Sequence, residues 1–427
     1  MSTVPPAFGV ELDGPWFEGG NWLSPFFWSP EVQESISPPA KVLIHDVTLR
    51  DGEQAARVVF TPAEKILMAR EIDKLGVHSI EPGFPTTPED VEVLQELVGA
   101  GLRAKIVPIA RIKPQDVRAC LDARPYGILL EMGINPFMLR DVFNTSPERL
   151  IDETAEYATE AKRAGLYVEF MGWDVMRIPS RSYVERFFRA LVAKAPLDRV
   201  TVADTFGMGH PLATFNLVRD LRAWTSLPVG FHIHNDFGMA TANSVMAVSA
   251  GADLIHSSVN GIGERAGNVA TEEIAMALQH LMRIDCGVDL ARIAATSQLV
   301  ALLSRMQPAR NKPIVGDGLF EVESGIVVGF LDAMKKTPLG SELFFPFRPG
   351  VAGLPPYTVL AGRGSGSKSI RLFLEERGIE ADDGAVKRIM ERVKHLAMVF
   401  KDALPARYLD AVIAEETGTA RRSEPNP

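Results

Sequence analysis

Eight short apolar or β-branched runs, each followed by a longer amphipathic stretch, predict an α/β protein folded as a closed (β/α)8 TIM barrel. The runs are continuously apolar rather than alternating, as parallel strands are when helices cover their outer face. Polar side chains gather just after these runs, at the strand ends where such barrels carry their chemistry. The barrel is read over residues 41–285. An aromatic and Pro-rich arm at 1–40 precedes it, and a mainly helical C-terminal region at 286–427 follows.

The strand runs lie at 42–47, 77–81, 104–109, 127–132, 167–171, 199–203, 229–234 and 254–259, and helices are expected between them at 62–75, 88–97 and 146–164. Thr61-Pro62-Ala63-Glu64 is a helix start, since Thr caps the first turn and Pro suits it. A helix at 271–282 ends the barrel, chain breaks fall at 308–313 and 345–356, a further helix is expected at 387–404, and 421–427 reads as disordered. The arm carries Trp16, Phe17, Trp22, Phe26, Phe27 and Trp28, too many rings for a disordered tail, so it is expected to dock on its own domain or on a partner subunit.

The formal net charge of -9 argues against a nucleic-acid partner, which requires a basic surface. Apolar runs fall short of the roughly 20 residues that span a bilayer, and the first residues lack the pattern of a signal peptide. Cys120 and Cys286 form no CxxC pair, so two buried thiols and a reduced cytoplasmic setting are expected.

In the run Val229-Gly-Phe-His-Ile-His-Asn-Asp, His232 and His234 share one face of a strand, with Ile233 on the other. Alone, the pair is either half of a metal site or two rings satisfied by nearby carbonyls. Other strand ends add to it: Arg50-Asp51 after the first, Glu81 after the second, Asp204-Thr205 after the sixth, and Asn260 to Asn268 after the eighth. Asp51, His232, His234 and Asn268 offer a carboxylate, two imidazoles and an amide oxygen, a donor set for a hard divalent ion with room for substrate oxygens. Beside Asp51, Arg50 is placed to stabilise a developing enolate or alkoxide oxygen, with Glu81 holding Arg50 from behind.

Three segments resemble one enzyme family. Leu49-Arg50-Asp51-Gly52-Glu53-Gln54 with Lys65 looks like the first signature of the 2-isopropylmalate, homocitrate and citramalate synthases. Residues 229–242, with the HxHND core, resemble the second, and Asn260-Gly-Ile-Gly-Glu-Arg-Ala-Gly-Asn268 is also synthase-like. The wider DRE-TIM metallolyase superfamily, named for its Asp, Arg and Glu (here Asp51, Arg50 and Glu81), includes hydroxymethylglutaryl-CoA lyase, whose catalytic cysteine after the eighth strand has no counterpart here. The resemblance implies a Claisen-type condensation of an acyl-CoA, acetyl-CoA first among candidates, with a 2-oxo acid to give a 2-hydroxy-2-alkyl diacid. It also implies a divalent ion (Mg2+, Mn2+ or Zn2+), a homodimer, and Thr205 binding the carboxylate of the oxo acid. The alternative is a carbon–carbon lyase or aldolase running the same enolate chemistry in reverse.

The chain departs from the synthase pattern in its proton-transfer and substrate-recognition half. Val327 follows Glu323-Ser324-Gly325-Ile326 where synthases carry a His, Trp173 precedes Asp174 where they carry a Glu, the fourth strand reads Ile128-Leu-Leu-Glu131-Met-Gly-Ile-Asn135, and Ala56-Arg57 replaces Pro-Gly. Glu131 is either a substitute base or the ion-pair partner of a nearby Arg. Arg111 either binds a second carboxylate or is an outer charge. Gly362-Arg-Gly-Ser-Gly-Ser-Lys368-Ser369 nearly matches a phosphate-cradling loop, but Ser367 precedes the Lys, and the segment is closer to a turn of the synthases' C-terminal part. With the chain stopping at 427, no separate feedback domain and no control by leucine are expected.

Overall fold

The chain is described by a computed structural model over residues 17–18, 21–337 and 339–419. Trp16 and the closing 421–427 segment lie outside the described residues. Two compact units form, one over Leu23–Val315 and one joining Met1–Trp22 to Gly316–Pro427.

The first unit is the expected barrel. Its parallel strands are β1 (Leu43–Asp46), β2 (Ser79–Ile80), β3 (Lys105–Ile106 and Ile109–Arg111), β4 (Gly127–Gly133), β5 (Tyr167–Trp173), β6 (Arg199–Asp204), β7 (Val229–Ile233) and β8 (Leu254–Ser257). Consecutive strands pair, and β8 returns to β1 in the register Leu254↔Leu43 to Ser257↔Asp46. Closure runs through β3, whose first half pairs with β2 (Ser79↔Lys105) and whose second half pairs with β4 (Ile109↔Leu129). Pro108 stands at the break because it has no N–H to give a ladder. On either side the bonding continues, Val107 N to Ile80 O at 3.1 Å and Leu129 N to Pro108 O at 3.0 Å.

The helices are α1 (Pro62–Leu75), α2 (Pro88–Gly99), α3 (Pro114–Ala123), α4 (Pro147–Arg163), α5 (Arg181–Lys194), α6 (Pro211–Thr225), α7 (Ala240–Ser249), α8 (Thr271–Met276) and α9 (Ile293–Ser304). Pro in the first turn opens five of these, where its missing N–H costs nothing. At α1 the expected cap is a full box: Thr61 Oγ1 accepts from Glu64 N at 3.3 Å and Glu64 Oε2 accepts from Thr61 N at 2.7 Å. Gly76 ends that helix at φ 93°. The helix expected at 271–282 is split, since α8 passes into a wider π-helical turn at Ala277–Leu281. Apolar side chains between strands and helices are fully enclosed, among them Phe170, Phe188 and Phe231. Of the 1–40 segment, the part from Leu23 onward belongs to this unit: Ser37 N donates to Ser249 O at 2.8 Å, and the Arg283 guanidinium lies 5.6 Å over the Trp28 ring.

The second unit contains α10 (Gly325–Met334), α11 (Ser367–Glu375), α12 (Asp383–Phe400) and α13 (Ala406–Thr417), and Ile370, Phe373, Ile389, Val393, Val412 and Ile413 belong to its core. The helix expected at 387–404 lies four residues earlier at both ends. Asp382 caps it, Oδ1 accepting from Ala385 N at 2.7 Å, and Lys401 turns the chain away at φ 54°. The glycine-rich Gly362–Gly366 turn grips a carboxylate of its own chain: Gly364 N donates to Glu323 Oε1, and a Cβ on Gly362 would lie 2.4 Å from Glu323 Cδ. That occupant explains the phosphate-loop-like composition. Among the described residues, no helix is long and apolar enough to cross a membrane.

Candidate active site

Three loops at one rim of the barrel bring the site together. After β1, the N–H groups of Arg50, Asp51 and Gly52 all turn back on Val47 O, at 3.1, 2.9 and 3.2 Å. A Cβ on Gly52 would stand 2.1 Å from Thr48 O, so the turn needs glycine there. Thr48 Oγ1 donates to Asp46 and accepts from Val259 N at 2.9 Å, which ties this turn to the loop after β8. In that loop Gly267 takes φ 82° with Gly261 O only 1.9 Å from where a Cβ would sit. Asn268 is thereby laid beside His234, bridged to it through the backbone. Asn260 and Ser297 of α9 exchange two hydrogen bonds, of 2.9 and 2.5 Å, which brace the same loop from outside.

The structure brings Asp51, His232 and His234 together. Asp51 Oδ2 lies 3.4 Å from His232 Nε2 and 3.5 Å from His234 Nε2, and the two nitrogens are 3.4 Å apart. All three are buried. Atoms about 3–3.5 Å apart are what one cation at ordinary metal–ligand distances of about 2.0–2.2 Å presents. Asn268 Oδ1 is buried and finds no partner among the described residues, while its Nδ2 donates to Ile262 O at 3.1 Å. An added Cβ on Gly263 would lie 2.2 Å from Asn268 Nδ2 and 2.8 Å from Asp51 Oδ1, so the two side chains meet beneath that glycine. Burial opposes the Asp51 charge, but Arg50 and the imidazoles outweigh it and hold the carboxyl well below the usual carboxylate range. Burial lowers His234 to about 4, which leaves its lone pair free near neutrality. The donor set thus fits a divalent ion.

Arg50 is held by carboxylates. Its Nε donates to Glu81 Oε1, and its Nη1 donates to Asp51 Oδ2 at 3.0 Å and Gln54 Oε1 at 3.1 Å. Burial works against this charge, and Glu81 and Asp51 more than restore it. Nη2 is buried and finds no partner among the described residues, which leaves one donor of the guanidinium uncommitted. Glu81 is anchored in turn by His45 Nε2 at 3.1 Å, and His45 Nδ1 meets Ser79 Oγ at 2.7 Å.

A cavity of about 240 Å3 opens over this group. Arg50, Asp51, His232, His234 and Thr205 line it, and so does Glu131, the β4 residue carried over from the sequence. Burial pushes the Glu131 carboxyl up to about 7, against the pull of Arg50 and a hydrogen bond from Trp173. Thr205 Oγ1 accepts from Asp174 N at 2.9 Å, which leaves its O–H to donate elsewhere. Arg111 is not among the lining residues, although its guanidinium lies 6.0 Å over the Phe84 ring. It neighbours Glu131 in the β3–β4 ladder, but its guanidinium turns to Asp116 of α3, with Nε–Oδ2 at 2.6 Å and Nη2–Oδ1 at 3.0 Å. Phe84, Ile109, Met171, Ala203, Gln54 and Glu264 also line the cavity and were not singled out from sequence. Inward parity could have found several of them, because Ile109 and Arg111, Met171 and Trp173, and Ala203 and Thr205 are spaced by two along their strands.

A family model described as HMGL-like matches residues 41–300. Homocitrate synthase AksA of Methanopyrus kandleri is 38% identical over 372 residues, covering 86% of this chain and 91% of the relative. The probable 2-isopropylmalate synthase of that organism is 38% identical, with 84% and 70% covered. A putative (R)-citramalate synthase CimA of Archaeoglobus fulgidus is 37% identical, with 83% and 71% covered. Among solved structures, an HMG-CoA lyase from Brucella melitensis aligns with a TM-score of 0.55 at 21% identity, covering 62% of this chain and 99% of that one, a likeness of fold. The rim, the ligand cluster and the match over 41–300 define an HMGL-like barrel enzyme. Within that class the chain belongs to the family of the 2-isopropylmalate, homocitrate and citramalate synthases, which are acyltransferases.

Proposed function

We propose that the chain catalyses a divalent-metal-dependent Claisen-type condensation of acetyl-CoA with a 2-oxo acid, giving a 2-hydroxy-2-alkyl diacid and CoA. The observation that carries this reading is the Asp51, His232 and His234 cluster, whose ligand atoms stand 3.4 to 3.5 Å apart, beside the unpaired Arg50 Nη2. These three residues, with Asn268 Oδ1, would hold the ion. Bound there, Mg2+, Mn2+ or Zn2+ supplies Lewis acidity toward the oxygens of the oxo acid.

The remaining work belongs to side chains. Thr205 Oγ1, already accepting from Asp174 N, donates a hydrogen bond to the acid's carboxylate. Glu131, near 7, is basic enough at neutral pH to take a methyl proton from acetyl-CoA. The resulting carbon nucleophile attacks the oxo carbon while Arg50 Nη2 donates to the oxygen that gains charge. Water then cleaves the thioester and releases CoA. Glu81 and His45 keep Arg50 in position, and Arg111, paired with Asp116, takes no part. A homodimer working in the cytoplasm belongs to the same reading, and the buried, unpaired Cys120 and Cys286 accord with a reducing compartment.

The test is incubation with acetyl-CoA, Mg2+ or Mn2+ and a panel of 2-oxo acids. CoA thiol release that requires both the oxo acid and the ion supports condensation. Cleavage of 2-hydroxy diacids or hydroxyacyl thioesters, without any condensation, would move the assignment to a lyase.

A further inference from the structure

The cavity has two unlike halves, and strand order separates them. β7, β8 and β1 bring the ligand cluster and Arg50 to one side. β3 and β5, with β6 next to β7, present Ile109, Met171, Trp173 and Ala203, and Phe84 from the loop after β2 packs with them. Val107 and Leu129 join the same apolar cluster. The indole of Trp173 is held flat by a space that Gly133 leaves open: a Cβ there would lie 2.8 Å from its ring. Phe143 meets that ring edge-on at 5.9 Å.

The charges in this half are as telling as its apolar surface. Glu131 is the acid set into it, and among the described residues no Lys or Arg other than Arg50 lines the cavity. The nearby cations are committed elsewhere, Arg111 to Asp116 and Arg265 to Asp236 at 2.8 Å. A carboxylate brought against this wall would lose its water and face Glu131, and the one cation near it, the Arg111 guanidinium 6.0 Å over the Phe84 ring, already has its charge matched by Asp116.

We infer that the 2-oxo acid selected by this site is a monocarboxylate with a branched or aromatic apolar side chain, lodged against Phe84, Met171 and Trp173, and that 2-oxo diacids are rejected. This rests on the condensation reading above and narrows it to a substrate class.

The experiment uses the full chain with Mn2+ and acetyl-CoA. It compares kcat/KM for pyruvate, 3-methyl-2-oxobutanoate, 4-methyl-2-oxopentanoate, phenylpyruvate and 2-oxoglutarate, with calorimetric binding of each acid to the Mn2+-loaded protein alongside. The branched or aromatic acids are expected to exceed 2-oxoglutarate by on the order of a hundredfold in kcat/KM, the scale set by leaving a charge unpaired in an apolar pocket. Thiol release with 2-oxoglutarate as efficient as with the best apolar acid overturns the inference and leaves condensation standing. No thiol release with any acid overturns condensation itself, and tighter binding of 2-oxoglutarate than of the apolar acids then overturns the inference separately. Trp173→Ala, which buries no new charge, is expected to shift preference from 3-methyl-2-oxobutanoate toward phenylpyruvate by roughly tenfold. An unchanged order of preference in that variant counts against the wall as the selecting surface.

Discussion

Replacing Arg50 by Lys removes a specific part of the site. The guanidinium serves three carboxylate or amide oxygens, on Glu81, Asp51 and Gln54, and its buried Nη2 has no partner among the described residues. An ammonium at the end of a Lys chain cannot span Glu81 and Asp51 while also aiming a donor at a ligand, because its charge is a point rather than a planar fork. On the proposed mechanism the main loss is that of the donor to developing charge, about 2.7–4 kcal/mol, or roughly a hundred- to a thousandfold in kcat. Asp51 keeps its position through Glu264 N at 3.1 Å, so Mn2+ affinity should fall by less than about tenfold, under 1.4 kcal/mol. Steady-state thiol release gives kcat and KM, and Mn2+ titration by calorimetry gives the metal term. A variant with kcat within threefold of the parent would refute the role given to Nη2. One that loses Mn2+ binding altogether would show that Arg50 acts by holding Asp51.

Five further outcomes follow from the same geometry. His232→Ala removes a ligand from the cluster and should abolish Mn2+-dependent turnover and calorimetric Mn2+ binding together, so full activity in this variant would remove the metal assignment. Gly263→Ala drives a methyl between Asp51 and Asn268, where a Cβ finds atoms at 2.8 and 2.2 Å, and should weaken Mn2+ binding by at least roughly tenfold while far-ultraviolet circular dichroism stays unchanged. With Glu131 as the base, kcat/KM should rise with pH through about 7, and Glu131→Gln should lose both that limb and most of the rate. Glu131 also sets a sign for stability: it keeps its proton up to about 7 when folded but releases it near its ordinary 4.5 when unfolded, so its contribution is full below 4.5 and lost as pH rises toward 7. Denaturant titrations of the parent and Glu131→Gln should diverge in that window. Finally, Mn2+ at about a hundred times its dissociation constant should raise unfolding free energy by about 2.7 kcal/mol, and a Tm insensitive to EDTA after Mn2+ loading would contradict the site.

Much of this molecule is written in local pattern. The alternation of apolar runs with amphipathic stretches dictates the barrel, because parallel strands covered by helices have few other ways to bury both faces. Thr61, Pro62 and Glu64 specify the start of α1 through contacts within four residues. The two-residue spacing of His232 and His234 sends both rings to one side of β7 whatever surrounds them. Side-chain contacts that the apolar pattern does not register, some long-range and some local, decided the rest. That Arg50 has one donor left over depends on Glu81, thirty-one positions away. That Arg111 faces Asp116 rather than the cavity is a choice of rotamer on one strand end. The helix that begins at Asp383 rather than 387 was settled by the cap at Asp382, which periodicity does not register. Phe84, Ile109, Met171 and Trp173 became a substrate-sized wall only when separate strands were curled into a ring. An apolar residue in a single run looks the same whether it faces a helix or a cavity, and three-dimensional closure is what tells the two apart.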